Sequence, residues 1–292
     1  MQKDNLSGIL LMLAAMAFFA VEDLFLKWAA ASVPVGQIIL VSGLFGAPVF
    51  AMMAWARGAR IFTTAAFQPA VLARNFGEMI GSYGYIVAIA SVPLSTISAV
   101  LQAMPLAVTM VAALFMQAKV GWRRWSAIAV GFLGVLLVIR PGVDGFRPEA
   151  LWGLLTVAGL TLRDLASRAI PPEVSNAQVS CWGLMSLTVL GVLMMLGEGA
   201  VSAPGLGQSM ILLGGIVFGT AGYWAVTAAS RRGEVSVVAP FRYARLIFAI
   251  AIGAIFFAEW PDMLTLCGAG LIVASGLYSF GRERRQSLAA SR

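Results

Sequence analysis

The chain has 292 residues, 60% of them hydrophobic and 11% charged, with a net charge of +7 and a mean hydropathy of +0.89. A soluble domain carries about 25% charged residues, so this composition excludes one and describes a polytopic membrane protein. The absence of histidine removes the commonest metal ligand and the usual general base at neutral pH. Cys181 and Cys267 both lie in apolar stretches and read as packing residues rather than a disulfide or a thiolate metal site.

A helix needs about 20 apolar residues to cross a bilayer. Apolar runs predict ten such helices, at 7–29, 35–55, 70–91, 95–117, 122–140, 149–169, 177–197, 209–229, 235–257 and 262–281. The breaks carry turn chemistry: Ser32-Val33-Pro34, Ser91-Val92-Pro93, Arg140-Pro141-Gly142, Pro171-Pro172 and Ser202-Ala203-Pro204-Gly205. Lys3, the first apolar run and Ala29-Ala30-Ala31 have the outline of a cleaved signal peptide. Glu22, Asp23 and Lys27 interrupt that run, and the same pattern recurs mid-chain, so the first helix is expected to stay.

The distribution of Lys and Arg sets the orientation. With the N-terminus in the cytoplasm, twelve fall on the inner side: Lys3, Arg57, Arg60, Lys119, Arg123, Arg124, Arg231, Arg232, Arg282, Arg284, Arg285 and Arg292. Only Arg140 and Arg147 fall outside, so both termini are expected in the cytoplasm. In this pattern the positive charge is a topology signal and not a nucleic-acid footprint.

The chain also repeats itself. Gly77-x3-Gly81 with Tyr85 returns as Gly215-x3-Gly219 with Tyr223, and Glu22-Asp23-Leu24 with Lys27 returns as Arg163-Asp164-Leu165 with Arg168. Five helices per half, an odd number, place the second half upside down relative to the first. That is a build plan of secondary transporters, with the substrate site near mid-membrane. The expected architecture is therefore all-α, ten transmembrane helices in a 5+5 inverted-topology repeat: residues 1–142, residues 143–281, and a basic cytoplasmic tail at 282–292. The paired Gly-x3-Gly motifs predict close helix approach on the third and eighth helices.

Charges inside the spans mark the candidate chemistry, because each costs about 2.5–3.5 kcal/mol at a helix centre. Asp23–Lys27 and Asp164–Arg168 are spaced i, i+4, within ion-pairing reach, and with Glu22 they read as coupling or gating residues. Arg242 and Arg245 lie about 10 and 15 Å along the ninth helix at 1.5 Å per residue. They share a face and need anions, either Glu22 and Glu78 or an acidic group on a ligand. The substrate-binding set is therefore Arg242, Arg245 and Glu78, with Tyr83, Trp224 and Tyr243 shaping the cavity. A carboxylate in a site of low polarity holds its proton more tightly, which makes Glu22 or Glu78 a candidate proton carrier. Trp28, Trp55, Trp122, Trp152 and Trp260 fall near span ends and read as interfacial anchors.

The chain resembles the drug/metabolite transporter superfamily in its ten-helix EamA-type branch. The resemblance rests on Val238-Ala239-Pro240-Phe241-Arg242-Tyr243-Ala244-Arg245, then Phe257-Ala258-Glu259, then Gly268-Ala269-Gly270 through Gly276. The first half follows with Gln102-Ala103-Met104-Pro105 and Gly131-Phe132-Leu133-Gly134-Val135. It departs at Lys119, where the family has a glutamate, and at Glu22-Asp23, where the family has Trp-Gly.

The resemblance implies a bacterial inner-membrane secondary transporter working by alternating access. Its substrate would be a small polar or zwitterionic metabolite, such as an amino acid or a ring-bearing compound like riboflavin. Export of lipophilic cations or drugs is the alternative, and a membrane enzyme the remote one, since no nucleophile–base pair or metal cluster is present. No cofactor, metal or nucleic acid is expected. The partners are a small-molecule substrate, the bilayer and, as a candidate coupling ion, protons; monomer and homodimer both remain open.

Overall fold

A computed structural model describes residues 4–117, 120–142, 146–198 and 203–290. Lys3, Lys119 and Arg292, which entered the orientation argument, lie outside them. Among the described residues there is no strand. The α-helices are α1 (Asn5–Ala30), α2 (Val35–Trp55), α3 (Pro69–Ser91), α4 (Leu94–Leu101), α5 (Met104–Phe115), α6 (Trp122–Ile139), α7 (Leu151–Ser167), α8 (Asn176–Glu198), α9 (Leu206–Arg232), α10 (Val235–Val238), α11 (Ala244–Phe257) and α12 (Met263–Ala290). Every run expected to be helical is helical, but two are interrupted. Residues 94–115 break at Gln102–Ala103, and 235–257 pass through a 3₁₀ turn at Ala239–Tyr243. Proline stands at the start of both resumed segments, Pro105 in α5 and Pro240 in the 3₁₀ turn. It lacks the N–H that would continue the ladder.

Eight of these segments are long and apolar enough to cross a membrane: α1, α2, Leu94–Phe115, α6, α8, α9, Ala239–Phe257 and Met263–Arg282. Their outward faces are apolar, with Leu44, Phe45, Leu133, Leu193, Ile247 and Ile255 all at least half exposed. The two runs that fall short, α3 and α7, are the ones carrying Arg74, Glu78, Arg163 and Asp164.

The chain folds as two compact units, each drawn from both halves of the sequence. One comprises Met1–Leu24, Val92–Leu151 and Ala221–Arg292. In it α6 and α12 run antiparallel. A Cβ added at Gly134 would meet the Gly268 carbonyl oxygen at 2.6 Å, and one at Gly131 would meet the Ser275 hydroxyl at 2.7 Å. Met12, Ala15 and Met16 of α1 are buried with Ala225 and Ala229 of α9 and with Val238. The start of α4 is capped from a distance: the Leu94 N–H donates to Glu259 Oε2 at 3.0 Å. At the corresponding start of α10, the Glu234 N–H donates instead to Asn5 Oδ1 at 2.8 Å. Asn5, in the first half, thus supplies the acceptor at one helix start and Glu259, in the second half, at the other.

One end of the α6–α12 pair is clasped outside the spans. Arg140, left-handed at φ 56°, donates to Asp262, and Asp262 Oδ1 also accepts the Thr265 N–H at 2.9 Å as the cap of α12. The Arg140 hydrogen bond and the Thr265 N–H hold the Asp262 carboxyl well below the usual carboxylate range. A lowered folded pKa contributes stability above the unfolded value of about 3.9 and loses it as pH falls through the folded value. Loss of the cap in Asp262→Ala should cost about 1 kcal/mol. The ion pair, with its carboxylate 56% exposed, adds at most about 1 kcal/mol. Thermal melts should show this deficit constant from pH 5 to 8 and shrinking in stronger acid.

The other unit comprises Phe25–Ser91 and Trp152–Thr220. Here α2 lies against α8: a Cβ at Gly43 would sit 2.6 Å from the Leu184 carbonyl oxygen and from Thr188. Trp182 of α8, buried, donates its indole N–H to the Ile61 carbonyl at 2.9 Å, and Gln178 donates to the Arg60 carbonyl at 2.7 Å, fixing the loop before α3. Helices α3 and α7 touch backbone to backbone. A Cβ at Gly77 would meet Gly159 O and Arg163 N at 2.6 Å, and one at Gly159 would meet Gly77 O at 2.8 Å. Carbonyl oxygens cannot rotate away. Gly159→Ala should therefore lower stability by about 1–3 kcal/mol. Gly270→Ala, with nothing within 4 Å of the new methyl, should not lower it. A melt in which the two variants behave alike would contradict the contact.

On α9 the first glycine of the matching motif meets side chains rather than backbone. A Cβ at Gly215 would find only Phe25 and Leu26 side chains, at 3.7 and 3.9 Å. A closer approach falls one residue earlier, where an added Cβ at Gly214 would meet the Phe25 ring at 2.6 Å. Both cysteines are free thiols; Cys181 is buried and Cys267 exposed.

Candidate functional site

Each unit holds a network of charged side chains on its helices. In the first, Asp23 of α1 is buried, 1% exposed, and Arg245 of α11 reaches it from 222 residues away. Arg245 Nη2 donates to Oδ1 at 2.7 Å and Oδ2 at 3.0 Å, and Nε donates to Oδ2 at 3.3 Å. The guanidinium also stands 5.4 Å from the Phe19 ring centroid, a cation–π arrangement. Arg245 keeps 22% exposure, so it is not sealed by these partners.

Arg245 is brought there by the interrupted helix. The 3₁₀ turn ends at Tyr243 and α11 starts one residue before Arg245. Gln102, at the break between α4 and α5, donates its amide to the Tyr243 carbonyl at 3.3 Å, so the two interruptions meet. The Tyr243 ring is buried over Gly276, where a side chain would collide with its hydroxyl. That hydroxyl is buried without a hydrogen-bond partner among the described residues, as are those of Ser95 and Ser98 on α4. A buried polar atom left so costs about 1–3 kcal/mol. It calls for a partner from outside the chain, such as water or a ligand.

The expected face shared by Arg242 and Arg245 is not formed. Arg242, in the 3₁₀ turn, is exposed, whereas Arg245, the second residue of α11, reaches Asp23. Glu22, expected as the arginines' anion, is half-buried and lies in the field of Asp23 and Arg245. It makes no hydrogen bond or ion pair among the described residues; the anion for Arg245 is Asp23. Trp224, expected at the cavity, is 54% exposed.

In the second unit Glu78 of α3 lies between two arginines. Oε2 accepts from Arg74 at 2.8 Å, one turn earlier on α3, and Oε1 faces Arg163 Nη1 of α7 at 3.5 Å. Arg163 in turn binds Asp164 at 2.8 Å. Arg74 is buried against Gly183 of α8, where any side chain would strike its guanidinium. The expected Asp164–Arg168 pair is absent: α7 ends at Ser167, and Arg168 is exposed beyond it. Lys27 is half-buried near the end of α1, and Tyr83 packs edge-on against Trp152, ring centroids 5.5 Å apart. The Arg74–Glu78 spacing of four residues was the available signal for this network. Nothing local signals the Arg163 contact. Among the described residues no group of acidic or cysteine side chains could hold a metal ion.

Residues 6–140 and, separately, 147–280 match the EamA-like transporter family. The chain is 26% identical over 207 residues to a riboflavin transporter of Rhizobium johnstonii, covering 71% of this chain and 68% of that one. It is 24% identical over 213 residues to an S-adenosylmethionine uptake transporter of Rickettsia felis, covering 72% and 69%. It is 25% identical over 270 residues to the pseudopaline exporter CntI of Pseudomonas aeruginosa, covering 92% and 94%. A solved crystal structure shares the fold, with a TM-score of 0.62 at 18% identity over 96% of this chain and 98% of the other. Two successive family matches and these relatives, on a helical membrane chain, make the protein a member of the EamA-like transporter family, within the drug/metabolite transporters.

Proposed function

We propose that the protein is a secondary transporter of a small, polar, ring-bearing metabolite, bound where the interrupted helices meet at Gln102 and Tyr243. The carrying observation is the buried, partnerless Tyr243 hydroxyl two residues from Arg245. Transporters of several folds bind substrate at discontinuous helices. Arg245 would take an acidic group and Tyr243 a polar atom of the ligand. Riboflavin and S-adenosylmethionine, named for two relatives, both join a heteroaromatic ring to a polar chain. Glu78, with a guanidinium on each oxygen, is assigned to the lock between α3 and α7 rather than to substrate.

The proposed frame is ten transmembrane helices in two inverted repeats, residues 1–142 and 143–281, with residues 282–292 and the N-terminus in the cytoplasm of an inner membrane. Several features recur 141 residues apart and support it. Helix interruptions reach Gln102 and Tyr243, left-handed residues follow α5 at Gln117 and α11 at Ala258, and Asp23 and Asp164 each meet an arginine.

Glu22 is the proposed proton carrier, because it is half-buried with no ion pair among the described residues, whereas Asp23 and Glu78 are held by arginines. Uptake into proteoliposomes tests both parts. One ring-bearing metabolite should accumulate only when a pH gradient is imposed, and Glu22→Gln should equilibrate it without concentrating it. Movement of lipophilic cations alone would contradict the substrate reading. Gradient dependence retained in Glu22→Gln would contradict the coupling.

A further inference from the structure

The α6–α12 pair is tight along most of its length and open at one end. Arg140 and Asp262 clasp one end, and Gly134–Gly268 and Gly131–Ser275 close the middle. Next to Ser275 is a surface cleft of about 220 Å³ lined by Ser126, Ala127, Val130, Ser275 and Tyr278. The Ser275 hydroxyl is occupied by the Ile272 carbonyl and that of Ser126 by the Arg123 carbonyl, so the small side chains make the space.

The rim of this cleft is basic and aromatic. Trp122 and Ser126 are four apart on α6, as are Arg123 and Ala127, so each pair shares a face. On α12, Arg282 follows Tyr278 by four residues and shares its face. Trp122 is 74% exposed, Trp125 38% and Tyr278 50%, and the Arg123 guanidinium lies 5.4 Å from the Trp122 ring centroid. The cleft thus lies at the end of its spans, where exposed tryptophans seek the headgroup level, with Arg123 and Arg282 beside it.

We propose that this cleft is a binding site for an anionic phospholipid, with an acyl chain along Val130 and Ala127 and the phosphate among Arg123, Arg282 and the Tyr278 hydroxyl. Basic pockets between transmembrane helices bind acidic headgroups in this way, and an apolar floor under a cationic rim complements a lipid and not a free phosphate. The proposal does not depend on what is transported.

The test is thermal melting of the purified full chain in a neutral detergent with added phosphatidylglycerol, phosphatidylcholine or glycerol phosphate. Phosphatidylglycerol should raise Tm with concentration, as a ligand of the folded state does, while the other two leave it unchanged. Ser126→Phe, which fills the cleft, and Arg123→Gln/Arg282→Gln, which strips the rim, should each lose the rise. Equal shifts with phosphatidylcholine, or a rise that survives both variants, would overturn the proposal; a rise with glycerol phosphate would reduce it to anion binding and overturn the lipid. A photoreactive phosphatidylglycerol on the wild type provides a reading free of mutational damage. Labelling should fall on peptides of α6 or α12, and labelling confined to other helices would also overturn it.

Discussion

Arg245→Ala should be among the most damaging single changes in this chain. It would leave Asp23, 1% exposed, without the guanidinium that now makes three hydrogen bonds to it. Removing one partner of a buried ion pair costs about 3–5 kcal/mol, because the remaining charge stays desolvated. Loss of transport in Arg245→Ala would therefore say little about binding by itself. The double variant Asp23→Leu/Arg245→Met separates the two effects. Replacing a buried pair by apolar groups of similar volume is often neutral or stabilising, so its melting temperature should return close to wild type. Its transport should not return, because the proposed cation for the substrate is gone. A double variant that is stable and transports normally would restrict the pair to a structural role.

Glu78→Ala should be comparably severe, for the opposite reason. The carboxylate lies between Arg74 and Arg163, and both guanidiniums are largely out of solvent, at 9% and 24% exposure. Deleting it turns a neutral set of two arginines and two acids, with Asp164, into one with a net positive charge on two adjoining helices. The expected loss is again about 3–5 kcal/mol. Gly77, Gly81 and Gly159 hold α3 and α7 too close for the arginines to swing far apart. Glu78→Gln should be milder, since an amide oxygen still accepts from one arginine. Denaturation of both variants in detergent checks the order; a Glu78→Ala melt equal to wild type would contradict the lock assigned to this group.

The positions of the helices were legible because hydrophobic length is a local property. Runs of about 20 apolar residues bounded by Pro34, Pro93, Pro141 and Pro204 can hardly fold otherwise in lipid. The interruptions were less visible. Pro105 and Pro240 were plain in the sequence, but a proline near the start of a helix is tolerated, and only the backbone shows that the chain breaks at Gln102 and tightens through Ala239–Tyr243.

The charged residues stood out in the sequence, but several of their partners did not. Spacing of four residues suggested Asp164–Arg168, yet α7 stops before Arg168 and Asp164 takes Arg163. Asp23 and Arg245 are 222 positions apart, and no periodicity connects them. Asn5 carried no signal at all: its role as acceptor for the Glu234 N–H depends on how α1 and α10 meet, which sequence spacing does not contain. The repeated glycine motifs did not show in detail that α9 brings Gly214, rather than Gly215, closest to the Phe25 ring.

Ligand-dependent melting of the purified chain tests the central claim most directly. The panel is riboflavin, S-adenosylmethionine, aromatic amino acids and lipophilic cations, applied to the wild type, to Tyr243→Phe and to Asp23→Leu/Arg245→Met. Tyr243→Phe removes only the partnerless hydroxyl and should itself melt no lower than wild type. The account predicts that one ring-bearing polar metabolite raises Tm with its concentration by mass action, less in Tyr243→Phe and not at all in the double variant. Stabilisation by lipophilic cations alone, or by a metabolite equally in all three proteins, would contradict it.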